Sequence, residues 1–300
     1  MKNNFKKAFS LIEISMVILI VGILIAGISK GLDLVNDMRI ATARALTDKA
    51  PMFGMENLEM WLETTSENSL ATGTGTSFTN VANPPDKKEI GRWNDINPTL
   101  INPNNKNHAT QSTLAYQPLY IQDGINGLPA LLFDGKSQAE GGDFFSYNGN
   151  FLINSDYTIF IVEARTSSKN DNFFLAGSSS SQHNNLIIGY YGNVITHSNW
   201  GGYRIDNAIL AYTKPIPRVH SFSFGKKFGK ASYINGGQKL TDTNQNISLA
   251  SYAGSSIGNA YGSIFYKGYI AEIIMYSKDL NDADRKLIEA YLIEKWRIKS

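Results

Sequence analysis

One carboxylate, that of Glu13, lies within residues 9–28, a run in which every other side chain is apolar or small. An ionised carboxylate near the end of an apolar helix costs on the order of 3 kcal/mol in a membrane unless it finds a partner or reaches the interface. A carboxylate that pairs with a cation on a neighbouring helix can specify the axial register between the two helices. The residue type and its position therefore predict ion-pair chemistry between packed helices.

Two further acidic residues, Glu163 and Glu272, lie in predicted strands and are the candidates for acid–base chemistry. Glycan hydrolysis needs two carboxylates on either side of the scissile bond, and alternate positions along one strand would supply them. Glu272 has no second carboxylate in its strand, and Glu163 has only Arg165 near it on the same face. We interpret both as isolated charges and expect no enzymatic activity.

The chain has no cysteine and four histidines, which limits the available metal and redox chemistry. We expect His108 to hydrogen-bond a loop backbone, since no metal-binding spacing accompanies it. Asp134, Asp143 and Asp156 could supply oxygen ligands to calcium, but aspartates of this kind more often form turns. The sequence thus predicts no cofactor, with calcium as the alternative.

Aromatic residues alternate with Asn, His and Gly in residues 183–204. Exposed aromatic rings beside polar loops can stack on sugars, although alternate aromatics in strands are more often part of a core. The candidate ligand-binding residues are Tyr190, Tyr191, Trp200 and Tyr203.

Residues 9–28 are long enough, at 1.5 Å per residue, to cross the roughly 30 Å core of a bilayer as a helix. Lys2, Lys6 and Lys7 precede this run without any acidic residue, which predicts a cytoplasmic N-terminus and an outward-facing remainder. The run is too long for a secretory signal peptide, and a plain signal anchor is the alternative.

The basic leader, Ala8, Phe9, Glu13 and the apolar run together resemble the type IV pilin family. The resemblance implies that a prepilin peptidase cuts between Ala8 and Phe9 and methylates the new amino group. It also implies that Glu13 pairs with the amine of a neighbouring subunit. Ala8 departs from the usual Gly, and no Pro follows near Lys30, where many pilins kink their helix.

The formal charge of the 300-residue chain is +2, from 28 basic and 26 acidic residues. Removal of the three leader lysines would leave one acidic residue in excess, so the overall charge predicts no nucleic-acid partner. We expect the apolar helix, residues 9–28, to continue outside the membrane over residues 29–63, with a break near Lys49 because Pro51 interrupts a helix. Residues 64–86, rich in Ser, Thr, Gly and Asn, are predicted to be a linker.

Residues 87–300 are predicted to form a β-sandwich domain. Asn235 and Gly236 predict a tight hairpin, and Asn281 is predicted to cap a C-terminal helix over residues 281–298 that packs its apolar face against the sheets. The predicted strands are residues 130–133, 157–164, 173–176, 186–191, 208–212, 219–224, 230–234 and 269–276. Two of these, 157–164 and 269–276, are so apolar that we expect them to be buried on both faces.

Residues 93–95 (WND), 107–111 (NHATQ), Pro118, 124–130 (GINGLPA) and 133–135 (FDG), together with the final strand and helix, resemble the concanavalin A-like jelly rolls of the laminin-G-like group. This resemblance implies a jelly-roll head closed by a C-terminal helix. Together with the long N-terminal helix, the expected fold class is mainly β. Some members of this group bind calcium.

Both resemblances together imply a pilin-like filament subunit, minor or at the tip, whose lectin-like head binds an extracellular glycan or protein. The implied partners are the prepilin peptidase, other pilin subunits and, before assembly, the inner membrane. A pseudopilin of a type II secretion system is the alternative, and a membrane-tethered glycan hydrolase is less favoured.

Overall fold

A computed structural model describes residues 11–200, 204–209, 211–243 and 246–299. The chain forms two compact units that divide between Thr42 and Ala43. Helix α1, Leu11–Thr47, forms the described part of the first unit, and its last residues belong to the second. Ala8, Phe9 and Tyr203 lie outside the described residues.

The second unit is mainly β, and its strands are short, as the frequent turn residues predict. They are β1 Leu58–Glu63, β2 Leu70–Thr74, β3 Ser77–Asn80, β4 Lys88–Glu89, β5 Arg92–Trp93, β6 Ala109–Thr110, β7 Leu119–Ile125, β8 Leu128–Asp134, β9 Phe145–Ser146, β10 Tyr157–Arg165, β11 Asp171–Ala176, β12 Ile187–Tyr191, β13 Val194–Ser198, β14 Arg204–Ile209, β15 Arg218–Gly225, β16 Gly229–Ile234, β17 Gln238–Asp242, β18 Ser256–Ile257, β19 Asn259–Ala260, β20 Ile264–Phe265 and β21 Lys267–Tyr276. Helix α2, Asp282–Lys295, follows the last strand.

Two large antiparallel sheets and a small one, formed by β19 and β20, make up the β structure of this unit in the described part of the chain. The first sheet has the order β17-β16-β15-β10-β21-β8-β7-β4, with β1 also paired to β21, and the second has the order β14-β13-β12-β11-β18-β9-β6-β5-β2-β3. One hydrophobic cluster draws buried side chains from both sheets, as in a β-sandwich. The predicted fold class, a mainly β sandwich with an N-terminal apolar helix and a C-terminal helix, is confirmed.

Strand β21 is central to the first sheet because it pairs along both of its edges. One edge pairs with β10, and the other pairs with β8 at residues 267–270 and with β1 at residues 272–276. Every residue of β10 is buried, and β21 is buried from Ile270 onward. The expectation that these two strands are buried on both faces is therefore confirmed.

Helix α2 covers part of the outer face of the first sheet. Asn281 caps it as predicted, since its side-chain oxygen accepts the N–H groups of Ala283 and Asp284 at 2.9 Å each. Ile288 and Leu292 are wholly buried. The hairpin between β16 and β17 also forms as predicted, with Asn235 and Gly236 at φ 48° and 73°.

Two predicted boundaries are wrong. Helix α1 ends at Thr47, close to the predicted break near Lys49. The predicted helix does not continue to residue 63, because Pro51–Gly54 form only a short 3-10 helix and residues 58–63 form strand β1. Residues 64–86 are not a linker, because they contain β2 and β3 of the second sheet. The compact unit therefore begins at Ala43, well before the predicted residue 87.

Candidate functional site

Helix α1 carries the first candidate site, which is centred on Glu13. All described residues of the apolar stretch Leu11–Ile28 are solvent-exposed in the isolated chain, and the stretch is long and apolar enough to cross a membrane. Glu13 is its one ionisable residue and lies in the first turn of the helix, where the N–H groups favour a negative charge. The Glu13 carboxylate is therefore exposed within an otherwise apolar helix surface.

The segment predicted to be a linker holds the last turn of α1 within the second unit. Arg44 donates from Nε to the carbonyl of Thr65 at 2.7 Å, and its Nη1 lies 2.9 Å from Oε1 of Glu67. Its Nη2 donates to Oδ1 of Asn83 at 2.5 Å. Three contacts from one guanidinium thus join residues 64–86 to the last turn of α1.

A buried ion cluster joins β1, β21 and α2. The ammonium of Lys295 lies 3.0 Å from Oε2 of Glu63 and 2.9 Å from Oε2 of Glu272, and all three side chains are wholly buried. The indole N–H groups of Trp61 and Trp296 each donate to Glu272 at 2.7 Å. Burial alone lowers the pKa of Lys295, but the two carboxylates raise it above its usual value. One ammonium is thus shared by two carboxylates, and neutral N–H and O–H donors complete the hydrogen bonding of both acids.

A second buried cluster lies between the two sheets, around Glu163. Oε1 of Glu163 accepts from the hydroxyl of Tyr190 at 2.7 Å and lies 2.9 Å from Nε2 of His220, while Oε2 accepts from Tyr266 at 2.8 Å. Arg218 in turn donates to the Tyr190 hydroxyl at 3.1 Å. Burial alone raises the pKa of Glu163, but the His220 and Tyr190 hydrogen bonds and the Arg218 charge bring it below its usual value.

The interpretation of Glu163 and Glu272 as isolated charges is wrong. Both are wholly buried, and both bind several donors, because a carboxylate in an apolar strand must be paired or hydrogen-bonded. Glu63 and Lys295 were not identified from the sequence. A signal existed, since Lys295 follows Tyr291 and Leu292 at helical spacing on the buried face of α2.

The predicted aromatic surface is not formed as expected. Tyr190 is wholly buried in the core, so the prediction of an exposed ring is wrong for this residue, whereas its neighbour Tyr191 is 49% exposed. Neighbouring residues of a strand face opposite sides of the sheet, which separates these two rings. Trp200 is half-buried and packs edge-on against Tyr261 with ring centroids 5.1 Å apart.

The candidate calcium ligands hold turns together. Oδ2 of Asp143 accepts the N–H of Asp134 at 2.9 Å, and Oδ1 of Asp134 accepts the N–H of Lys136 at 3.0 Å. Asp156 instead accepts the N–H of Lys226 at 3.0 Å. Within the described ranges, His, Asp and Glu side chains form no group of three or more that could hold a metal ion.

His108 and Asp95 connect two of the sequence motifs. Nδ1 of His108 accepts the N–H of Asp95 at 3.0 Å, as predicted for a histidine that bonds a loop backbone. The Asp95 carboxylate accepts the N–H groups of Trp61, Asn97 and Asn107, each at 2.9 Å. The side chain of His108 also lines a surface cavity of about 480 Å³, which no sequence motif predicts.

Comparison with known proteins gives structural similarities only. No family model matches the sequence, and no curated protein matches it either. The binding domain of Paraclostridial Mosquitocidal Protein 1 is 15% identical, with a TM-score of 0.49 over 79% of this chain and 52% of that one. Domain 4 of AbnA, a GH43 extracellular arabinanase from Geobacillus stearothermophilus solved with arabinotriose, is 16% identical, with a TM-score of 0.45 over 58% and 80%.

A sialidase from Trypanosoma rangeli, solved with the inhibitor DANA, is 12% identical, with a TM-score of 0.46. The similarity covers 81% of this chain but 34% of the sialidase. TM-scores below 0.5 at such identities do not identify the function of this chain.

Proposed function

We propose that this protein is a membrane-anchored, pilin-like filament subunit that displays a ligand-binding β-sandwich head outside the cell. Prepilin peptidase cleaves between Ala8 and Phe9 and methylates the new amine. Glu13 then pairs with the amine of a neighbouring subunit as the helices pack into a filament. The head binds an extracellular glycan or protein.

One observation carries this proposal: an apolar helix with a single carboxylate at its start. The stretch Leu11–Ile28 is apolar on all sides, so it needs lipid or other helices around it. A neighbouring cation would stabilise the Glu13 carboxylate in either environment. The basic leader before Phe9 supplies the sequence context for processing. A plain membrane anchor has no need for the carboxylate.

The large head favours a minor or tip position. The compact unit that begins at Ala43 comprises most of the chain, and a head of this size would crowd the lattice of a filament built mainly from this subunit. Immunogold labelling of intact filaments tests this position, with gold at the tips expected. Continuous labelling along the shaft would assign the protein to the major subunit.

A pseudopilin of a type II secretion system is the second candidate, because it would have the same leader, helix and Glu13. The two functions differ in location, since a pseudopilin head remains in the periplasm. Protease treatment of intact cells distinguishes them, because a surface-displayed head is degraded and a periplasmic head is protected. A tethered glycan hydrolase is disfavoured by the burial of Glu163 and Glu272.

Intact-mass spectrometry of the protein purified from its native membrane tests the proposal. The expected mature chain begins at N-methylated Phe9, and a matched strain without prepilin peptidase should retain residues 1–8. A mature chain that begins at Met1 in both strains would overturn the proposal.

A further inference from the structure

The surface cavity that includes His108 lies on the outer face of the second sheet. Ala109 and Phe145 point into the core from β6 and β9, so their neighbours Thr110 and Ser146, which pair directly, point outward. The cavity volume of about 480 Å³ is within the range of ~300–1,000 Å³ that is typical of small-molecule sites. We call this cavity the His108 pocket. It is lined by His108, Thr110, Ser146, Tyr147, Asn148, Asn150, Tyr252, Ala253, Gly254 and Ser255.

The inner wall of the His108 pocket is fixed by its own contacts. The hydroxyl of Tyr147 donates to that of Tyr252 at 3.1 Å. Ser255 Oγ donates to the carbonyl of Tyr147 at 2.7 Å and accepts the N–H of Gly149 at 3.1 Å. A Cβ atom added to Gly149 would lie 2.5 Å from Cδ1 of Tyr252, so only glycine allows the backbone to approach this ring so closely. A wall held in this way loses little conformational freedom when a ligand binds.

The rim of the pocket offers hydrogen-bonding groups without formal charge. Because Nδ1 of His108 already accepts a backbone N–H, the neutral imidazole carries its proton on Nε2. Burial and the nearby charge of Arg92 lower the pKa of His108, so the ring is neutral at physiological pH. Hydroxyls of Thr110 and Ser146 and side-chain amides complete the set.

The type of ligand follows from this lining. Among the described residues, none of those lining the pocket is Asp, Glu, Lys or Arg, so a charged ligand would find no direct counter-charge in the lining. Hydroxyl groups donate and accept at once, which matches a rim of imidazole, hydroxyl and amide groups. A neutral polyhydroxyl compound is therefore better suited to the pocket than a phosphate, a carboxylate or an ammonium group.

We infer that the His108 pocket binds a neutral sugar residue of an extracellular glycan. This inference rests on the proposed function in one respect, since it takes the head to be displayed to an external ligand. It assigns recognition to the outer face of the second sheet near β6 and β9. The aromatic stretch predicted from the sequence, which includes Tyr191, has no part in it.

The test uses the full-length protein in detergent micelles on an array of neutral, sialylated and sulfated glycans. Ser146→Trp places an indole in the pocket, while the wild-type Ser146 side chain is exposed at its rim. Asn150→Ala removes one exposed rim amide and serves as a milder variant if the indole impairs folding. Tyr191→Ala is the matched control on the surface predicted from the sequence. Circular dichroism establishes which variants keep the wild-type fold.

We expect the wild-type protein to bind the neutral glycans of the array. Ser146→Trp should weaken binding at least tenfold, and Asn150→Ala should weaken it by about threefold to tenfold, the equivalent of one lost hydrogen bond. Tyr191→Ala should bind as the wild type does. The inference would be overturned if the wild-type protein bound only acidic glycans or bound no neutral glycan. It would also be overturned if both pocket variants folded and bound as strongly as the wild type.

Whole-cell antibody labelling tests the proposed function separately from glycan binding by the His108 pocket. Cells that express Ser146→Trp should display the head at wild-type levels, because the pocket is remote in sequence from the processing site. Absence of the wild-type head from the cell surface would contradict the proposed function and leave the array result unaffected.

Discussion

The ammonium of Lys295 lies 2.9 Å from Oε2 of Glu272 at a site that no solvent reaches. This ion pair connects the last turn of α2 to the middle of β21, and Glu63 on β1 completes it from the neighbouring strand. The three elements come from the beginning and the end of the head. The cluster thus joins residues of the head that are more than 200 positions apart in the sequence.

Replacement of Lys295 by Met should destabilise the head strongly. The substitution leaves Glu63 and Glu272 buried without their cation, and removal of one partner from a buried ion pair costs about 3–5 kcal/mol. The free energy of unfolding can be measured in urea through tryptophan fluorescence, to which Trp61 and Trp296 of the cluster contribute. Lys286→Met, at an exposed position of the same helix, is the control and should change stability by less than ~0.5 kcal/mol. Equal stability of both variants would show that the cluster does not hold the fold.

The strongly patterned elements of this fold could be predicted from the sequence, and the pairing between distant elements could not. The strand at residues 157–164 was evident because its apolar run is continuous, and the hairpin at Asn235 because an Asn-Gly pair favours positive φ. The prediction that Glu272 is an isolated charge is wrong because its partners, Glu63 and Lys295, become neighbours only in the folded head. No local sequence pattern predicts a contact between residues so far apart in the chain.

The misassigned linker has a similar physical cause. The edge strand β3 and its neighbour β2 are short and only partly buried, so their composition resembles that of a flexible segment. Gly73 lies in the predicted linker, yet its φ of 138° brings its backbone so close to Ser77 that an added Cβ would clash with the carbonyl oxygen of Ser77. The His108 pocket was missed because its residues come from three separate loops and strands.

Asp143 should make the stability of the head depend on pH between about pH 4 and pH 7. Burial and the charge of Asp134 raise its pKa from 3.8 to about 7. The folded head therefore binds more protons than the unfolded chain in this interval, and the stability contributed by protonated Asp143 is present at low pH and is lost as the pH rises through 7.

The variant Asp143→Asn removes this titration and can still accept the N–H of Asp134. Relative to the wild type, it should gain more than ~1 kcal/mol of stability when the pH is raised from 5 to 8. Urea unfolding at both pH values measures the difference. Asp123→Asn, at an exposed position, should show no such gain. A pH-independent difference between the wild type and Asp143→Asn would contradict this role of Asp143.

Replacement of Glu163 by Gln should lower stability without removing a catalytic activity. Both oxygens of Glu163 accept hydrogen bonds, so an amide would place its N–H₂ against the hydroxyl of Tyr190 or that of Tyr266. The lost bond to a charged acceptor costs about 1.5–3 kcal/mol. Urea unfolding should show this loss for Glu163→Gln and not for the exposed control Glu56→Gln. Release of reducing sugar from glycans by the wild type, abolished in a stably folded Glu163→Gln variant, would reverse the assignment.

Replacement of Glu13 by Ala should separate membrane insertion from assembly. The substitution makes the stretch Leu11–Ile28 wholly uncharged, so insertion becomes more favourable, and carbonate extraction should find the variant in the membrane at or above the wild-type level. Assembly should fall at least tenfold, because the amine of a neighbouring Phe9 would lose the carboxylate that sets the register between the helices.

Shearing of cells followed by quantification of the released filaments measures assembly. Ser15→Ala is the control within the same helix, since the Ser15 hydroxyl donates to the carbonyl of Ile12 at 2.9 Å within that helix, and the variant should assemble normally. Glu13→Asp keeps the charge but shortens the side chain, so it should assemble to an intermediate extent if the distance to the neighbouring amine matters. Normal filament yield from Glu13→Ala would mean that apolar packing alone aligns the helices, and the pairing role of Glu13 would have to be abandoned.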